Sequence, residues 1–344
     1  MAIPLLRTKF NIPPIQANLI RRERLLHILD ESLQGDHLLS LICAPTGYGK
    51  TTLVSQWIQQ YNKDIRQATL KREFVWLTLD QGDNDLACFT SYLVTSLQQI
   101  KPELGQSTLA TLQNVRSPSI QLIATLLIND LSSLAETSIV ILEDYHTVNS
   151  QSVHDFMTFL IDHLPLQLHL VIISRSDPPL PLARLRARGQ LTEVRQDDLA
   201  MTEAETAEFL VGHMGLDLSP NQLHVLESRT EGWVAGLQLA MLSMRHTKNI
   251  PEFIQAFSGG YEFIADYLTK EVLEQQNEST QNFLLQTSIL KQFTAPLCEA
   301  VTGQSQVTHL LKMLEEANIF LIPLDYQGEW YRYHALFADL LRKR

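Results

Sequence analysis

The chain has 344 residues, 45% hydrophobic and 19% charged, with a net charge of −11. This exceeds one ordinary domain, so two or three domains with substantial cores are expected. The acidic balance, with no long basic run, argues against direct DNA or RNA contact; no apolar stretch approaches the ~20 residues of a membrane span, and Cys43, Cys88 and Cys298 lie far apart without metal-ligand spacing, as expected of small buried residues in a reducing cytoplasm.

Residues 1–20 carry several prolines and read as an extended arm, without the apolar region of a signal peptide. Residues 22–29 read as an amphipathic helix. His37–Cys43 is an apolar run suited to a buried strand, and Thr52–Ile58 has helical apolar spacing. Between them runs Ala44-Pro45-Thr46-Gly47-Tyr48-Gly49-Lys50-Thr51. Strand, glycine loop and helix is the context that a phosphate-binding P-loop requires. Gly47 and Gly49 let the backbone wrap a phosphate with no Cβ in the way, and the loop amides and helix N-terminus then face the anion. Lys50 is predicted to reach the β- and γ-phosphates, and the Thr51 hydroxyl to bind Mg²⁺. Pro45, Thr46, Gly47, Tyr48, Gly49, Lys50, Thr51 and Thr52 form the candidate nucleotide set. Ala44 stands where the strict pattern has its first glycine, and a methyl group fits there if φ is negative.

Further along, Phe74–Leu79 reads as a strand, residues 80–85 as a polar loop, and residues 86–100 as a helix. Residues 101–118 read as loop and residues 119–134 as helix. Ser138–Leu142 is a third strand, ending in Glu143-Asp144. His169–Ile173 is a fourth, ending in Ser174-Arg175, and Leu191–Val194 a fifth. Apolar strands alternating with helices predict an α/β fold, a parallel sheet covered by helices. The character changes near residue 200. Thr202–Glu205 is a capping box, and Ser219-Pro220 opens another helix. Helices continue to about residue 318. Residues 319–324 and 330–333 flank Gln327-Gly328 as a β-hairpin, with a helix over 335–341, which together suggest a winged helix.

In a P-loop protein the carboxyl ends of the strands meet the nucleotide. There Glu143 is a candidate metal ligand, directly or through water, and Asp144 a candidate to orient or deprotonate the attacking water. A solvated strand end is the plainer alternative. Arg175 is a candidate sensor of the γ-phosphate, against a surface arginine in a turn. Arg184, Arg186 and Arg188 read as a solvated basic face, or as groups reaching a neighbouring subunit's nucleotide.

Taken together, these residues resemble the signal-transducing ATPases with numerous domains, the STAND class. The closer resemblance is to the maltose-regulon-activator branch of the large LuxR-type bacterial transcriptional regulators. It rests on residues 44–53, 76–80, 141–146, 173–175 with 185–188, 232–239 and 331–337, in the family's order. The resemblance implies a P-loop nucleotide-binding domain over 1–198, a helical subdomain over 199–260 and a winged-helix subdomain over 261–344. It implies ADP holding a closed state, and ATP exchange, promoted by an inducer, opening the molecule for self-association. Slow hydrolysis resets the switch, and the winged helix packs rather than reads DNA. It makes His334 a candidate latch on the β-phosphate of ADP, against a half-buried histidine at a helix start. It places Trp233 near the adenine, against an ordinary core aromatic. The family has Asp where this chain has Glu143, which bears on hydrolysis more than on binding. Family members continue into a helical-repeat sensor and a helix-turn-helix domain, so a chain ending at Arg344 is expected to be a fragment or a shortened switch.

The leading expectation is a cytoplasmic ATP/ADP switch with slow ATPase activity. The alternatives are a P-loop kinase of a small molecule, against which the helical and winged-helix tail argues, and an interaction module that holds nucleotide without hydrolysing it.

Overall fold

The computed structural model describes residues 5–15, 19–64, 72–213, 215–245, 247 and 249–344. The chain forms two compact units. The first comprises the described residues of Met1–Ile15, Arg21–Cys43 and Lys50–Arg195; the second comprises those of Gln16–Ile20, Ala44–Gly49 and Gln196–Arg344. Loop residues 44–49 therefore pack within the second unit, although the strand before them and the helix after them belong to the first.

In the first unit the order is α1 (Glu23–Glu31), β1 (Leu39–Cys43), α2 (Lys50–Asp64), β2 (Glu73–Thr78), α3 (Leu86–Leu97), α4 (Gln106–Asn114), α5 (Ile120–Leu131), β3 (Ser138–Glu143), α6 (Gln151–Asp162), β4 (Leu168–Ser174), α7 (Leu182–Ala187) and β5 (Leu191–Val194). The five strands form one parallel sheet in the order β2-β3-β4-β1-β5. Every residue of β1, β3 and β4 is buried. Side chains on a strand alternate between faces, so both faces are covered, as apolar parallel strands require. One face packs Leu41, Leu77, Leu142 and Ile172 against Phe89, Leu127 and Phe156 of α3, α5 and α6. Because the strands are parallel, their carboxyl ends lie along one edge. The register sets Cys43 beside Ser174 and Thr78 beside Glu143.

Two expectations need correction here. Residues 101–118 are not all loop, because α4 spans Gln106–Asn114. It starts on left-handed Gly105, whose N–H donates to Asp130 Oδ2 of α5 at 3.0 Å. Of the apolar residues of α4, Leu109 and Leu112 alone pack on the core, too few for a clear helical period. The described residues of the arm are not simply extended either. Arg7–Phe10 form a 3-10 turn. Lys9 is buried, its Nζ 2.6 Å from Asp83 Oδ2 and 2.8 Å from Asp80 Oδ2, and 4.4 Å from the centre of the Tyr92 ring. Asp80 in turn caps a 3-10 turn over Gln81–Asn84, within the predicted polar loop. Residues 1–4 and 16–18 of the arm lie outside the described residues.

Asp83 is fully buried, so removing its cation leaves an uncompensated charge. Lys9→Ala is expected to destabilise the first unit by about 3–5 kcal/mol in chemical denaturation. The Lys9 hydrogen bond holds the Asp80 carboxyl below the usual aspartate range. A depressed carboxylate contributes stability above its unfolded pKa and loses it as pH falls through the folded value. The Lys9→Ala deficit should therefore shrink in acid, below the ordinary aspartate pKa.

The second unit continues with α8 (Gln196–Leu199), α9 (Glu203–Ala207), α10 (Pro220–Thr230), α11 (Val234–Arg245), α12 (Ile250–Ala256), α13 (Glu262–Leu268), α14 (Glu278–Thr287), α15 (Ala295–Thr302), α16 (Val307–Glu316), β6 (Leu321–Pro323), β7 (Tyr331–Tyr333) and α17 (Ala335–Lys343). Both predicted capping boxes form, Thr202 with Glu205 and Ser219 with Gln222. β6 and β7 pair antiparallel, with Leu321 opposite Tyr333. The Asp325 carboxylate closes their turn by accepting from the N–H groups of Gln327, Glu329 and Trp330. Tyr333 packs on Phe293 and Phe337, and its hydroxyl lies 2.7 Å from Thr287 Oγ1, which joins the hairpin to α14 and α17. Among the described residues, no helix is long and apolar enough to cross a membrane.

Candidate functional site

At the carboxyl edge of the sheet in the first unit, Glu143 gathers three donors. The Thr51 hydroxyl donates to Oε1 at 2.6 Å, and the Thr78 hydroxyl and Trp76 indole N–H donate to Oε2 at 2.8 and 3.1 Å. The buried carboxylate is thus oriented by β2 and by the first turn of α2 together. Asp144 follows at φ +57, a left-handed position that aspartate tolerates better than most residues, with a 3-10 turn over Tyr145–Thr147 after it. Burial and the neighbouring Glu143 charge push the Asp144 carboxyl above the usual range, opposed by Arg175 and Lys50.

Lys50 opens α2 and is buried. Burial and the Arg175 charge push its ammonium down to about 8. Four predicted site residues of this unit, Lys50, Thr51, Glu143 and Asp144, are thereby brought together, and Arg175 is near enough to act on both Lys50 and Asp144. The Arg175 charge disfavours that of Lys50, and added negative charge, which a polyphosphate supplies, relieves both. The hydroxyl of Thr51 and the carboxylate of Glu143 are oxygen donors of the kind Mg²⁺ takes. Among the described residues no cluster of three or more His, Cys, Asp or Glu forms a metal cage. Mg²⁺ needs none, since it keeps several waters and completes its shell with phosphate oxygens. The donor set therefore fits that ion.

Sequence reasoning missed Thr78 and Trp76 as supports of Glu143, because the β2–β3 register that pairs Thr78 with Glu143 is not written in either strand alone. It also missed His146, whose Nδ1 lies 3.9 Å from Asp144 Oδ1 and makes no hydrogen bond. Burial, Arg175 and Lys50 push His146 down to about 4, so it is neutral at pH 7. Of the basic trio, Arg184 pairs with Asp162, and Arg186 makes a bidentate pair with Glu193 at 2.7 and 2.8 Å.

In the second unit the loop residues 44–49 are gripped through their backbone. The Trp233 indole N–H donates to Thr46 O at 3.0 Å, and the Ala235 N–H to Gly47 O at 2.9 Å. Thr46 Oγ1 lies 3.0 Å from the Tyr267 hydroxyl, a contact from α13 for which the sequence offered no signal. Tyr48 is buried, its ring 6.5 Å from that of Phe320. Gly47 and Gly49 both have φ +80, where the lack of a Cβ matters, and Ala44 has no positive φ, so its methyl is tolerated. Pro45 is buried, and Thr52, in the first unit, is half-buried in the first turn of α2.

His334 is fully buried at the start of α17. Its Nε2 lies 2.9 Å from Thr230 O and its Nδ1 accepts from Leu336 N–H at 3.3 Å. Nε2 therefore carries the proton, and burial lowers the pKa of the neutral ring. Trp233, fully buried, stands beside His334, Phe320 and Tyr267 with ring centres 6.0, 5.2 and 5.6 Å away.

Comparison with known proteins agrees with this architecture. Residues 269–344 match the MalT winged helix domain. The HTH-type transcriptional regulator MalT of Klebsiella pneumoniae is 33% identical over 342 residues, 99% of this chain and 37% of the relative. The same regulator of Cronobacter sakazakii is also 33% identical, with the same coverage. The chain thus spans a little over a third of the length of these relatives. Among solved structures, a Walker-type ATPase of Pyrococcus abyssi superposes with a TM-score of 0.62 at 15% identity, over 95% of this chain and 97% of that one. The ORC2 protein of Aeropyrum pernix gives 0.50 at 15% identity, over 97% and 94%. At such identity they speak for the P-loop ATPase fold alone. The chain is a homologue of the MalT transcriptional regulators along nearly its whole length, with the MalT winged helix domain at residues 269–344.

Proposed function

We propose that this chain is the ATP/ADP-binding regulatory core of a LuxR-type transcriptional activator of the STAND class, a cytoplasmic switch with slow ATPase activity. The observation that carries the proposal is the pairing of Thr51 with Glu143 beside buried Lys50, at the carboxyl edge of a parallel sheet. In this reading Lys50 neutralises the β- and γ-phosphates, while Thr51 and Glu143 hold Mg²⁺, which supplies charge neutralisation to the phosphates. Asp144, whose carboxyl burial and Glu143 raise above the usual aspartate range, orients the attacking water and takes its proton. Arg175 senses the γ-phosphate. The organisation follows as a nucleotide domain over 1–198, a helical subdomain over 199–260 and a winged helix over 261–344. His334 is the ADP latch, and an ADP contact through Nε2 requires its proton to exchange Thr230 O for a phosphate oxygen. Self-association in the ATP state and an inducer complete the switch. The net charge of −11 makes this chain a poor direct DNA binder.

The protein purified without added nucleotide and then denatured is expected to release near-stoichiometric ADP, identified by chromatography; an empty protein that also fails to take up labelled ATP would sink the proposal. Asp144→Asn keeps a residue that accepts the left-handed backbone and removes the base. Single-turnover phosphate release should fall by roughly 10²–10⁴-fold, the usual worth of a general base, with ATP affinity retained. An undiminished rate would leave the nucleotide as a structural ligand of an interaction module.

A further inference from the structure

The grip on the phosphate loop is itself held from the winged helix. α10 ends at Thr230 and turns sharply into α11 through two successive left-handed residues, Glu231 at φ +50 and Gly232 at φ +70. Glu231 has a side chain in a conformation that disfavours one, and the outlier is held by specific partners. Arg332 of β7 makes a bidentate pair with its carboxylate at 2.8 and 2.7 Å, and the Ala335 N–H donates to the same group at 2.8 Å. His334 donates to Thr230 O, which also accepts the Trp233 backbone N–H at 2.8 Å. The turn so fixed aims Trp233 and Ala235 at Thr46 O and Gly47 O. Gly232 tolerates no other residue there, because a Cβ would lie 2.7 Å from the Met201 backbone. Every group in this chain of contacts belongs to the second unit.

We propose that the Glu231–Arg332 pair is a positioning device for the phosphate loop: by fixing the left-handed turn before Trp233, strand β7 of the winged helix sets the grip of Trp233 and Ala235 on Thr46 and Gly47, and through it the rate at which a nucleoside diphosphate leaves. The last step rests on the nucleotide reading given above. The first step does not, since it concerns only protein groups. The logic is that of a two-position element whose equilibrium two sites bias. A winged helix that moves withdraws Arg332, frees the turn and loosens the loop.

The test measures amide hydrogen exchange at Ala235 in the full chain, together with release of a fluorescent ADP analogue. Arg332→Gln, Glu231→Gln and the double variant are compared with Arg342→Gln, whose guanidinium donates to Ser288 O, outside this chain of contacts. Both single variants are expected to speed Ala235 exchange and ADP release by about 5-fold or more, the scale of allosteric coupling. The double variant should be no faster than either single, and Arg342→Gln should leave both rates unchanged. Should Arg332→Gln not fold, Arg332→Lys and Trp233→Phe serve. The first loses the fork but keeps the charge, and the second removes the indole donor together with part of a buried ring. Unchanged Ala235 exchange in folded variants, or additive effects of the two substitutions, would overturn the proposal. Faster exchange at Ala235 in a protein that binds no nucleotide would uphold the grip and refute the nucleotide reading instead.

Discussion

Lys50→Ala is expected to weaken ATP and ADP binding by roughly 2–5 kcal/mol, the usual cost of truncating one partner of a buried charge pair, read by isothermal titration calorimetry. The ammonium is buried at the start of α2, where its charge is already costly to hold and its pKa is pushed down to about 8. A polyphosphate relieves that cost, so the site is poised to bind an anion more tightly than an exposed lysine would. The same reasoning predicts that the empty variant is not destabilised, because the substitution also removes a charge that burial and Arg175 disfavour. Affinity loss without stability loss is the diagnostic pair. A Lys50→Ala protein that binds ATP as well as the parent would remove lysine from the phosphate site. One that unfolds would give Lys50 a structural role instead. Thr51→Ala provides the companion measurement: it removes the hydroxyl from Glu143 and should reduce affinity in Mg²⁺ more than in a chelator.

Strands β1, β3 and β4 were legible because each is a short, mostly apolar run buried on both faces, and the loop between β1 and α2 was legible from its glycines, Lys50 and Thr51 in a strand–loop–helix context. The strand order β2-β3-β4-β1-β5 was not, since nothing in a single strand names its neighbour. For the same reason Glu143 was readable as a strand-end acid, while its donors Thr78 and Trp76 were visible only once β2 lay beside β3. Helix α4 escaped because its start is a left-handed glycine with no side-chain cap. The role of Trp233 was half legible. The resemblance placed it near adenine, and composition alone made it a core aromatic; the structure gives it a polar task as well, with its N–H on Thr46 O. His334 was correctly read at a helix start, but its full burial and the use of both ring nitrogens depend on Thr230, a residue far away in sequence.

Gly47→Ala and Gly49→Ala are expected to separate backbone strain from steric conflict in the loop. Both glycines have φ +80, where an L side chain costs roughly 1–2 kcal/mol. At Gly49 the nearest neighbour of an added Cβ is Val234 Cγ2 at 3.9 Å, an ordinary contact, so strain is the whole effect. At Gly47 the added Cβ meets Trp233 Nε1 at 2.6 Å and Ala235 Cβ at 2.7 Å. Trp233 cannot swing aside, because its ring is fully buried among Tyr267, Phe320 and His334. Overpacking adds about 1–3 kcal/mol to the strain. Denaturation followed by tryptophan fluorescence should therefore show Gly47→Ala less stable than Gly49→Ala by that difference. Trp233→Phe should reduce the penalty of Gly47→Ala, since it removes the atom in closest conflict, and leave that of Gly49→Ala unchanged. Equal penalties for the two alanines, with or without the tryptophan, would mean that Trp233 does not rest on the loop in solution.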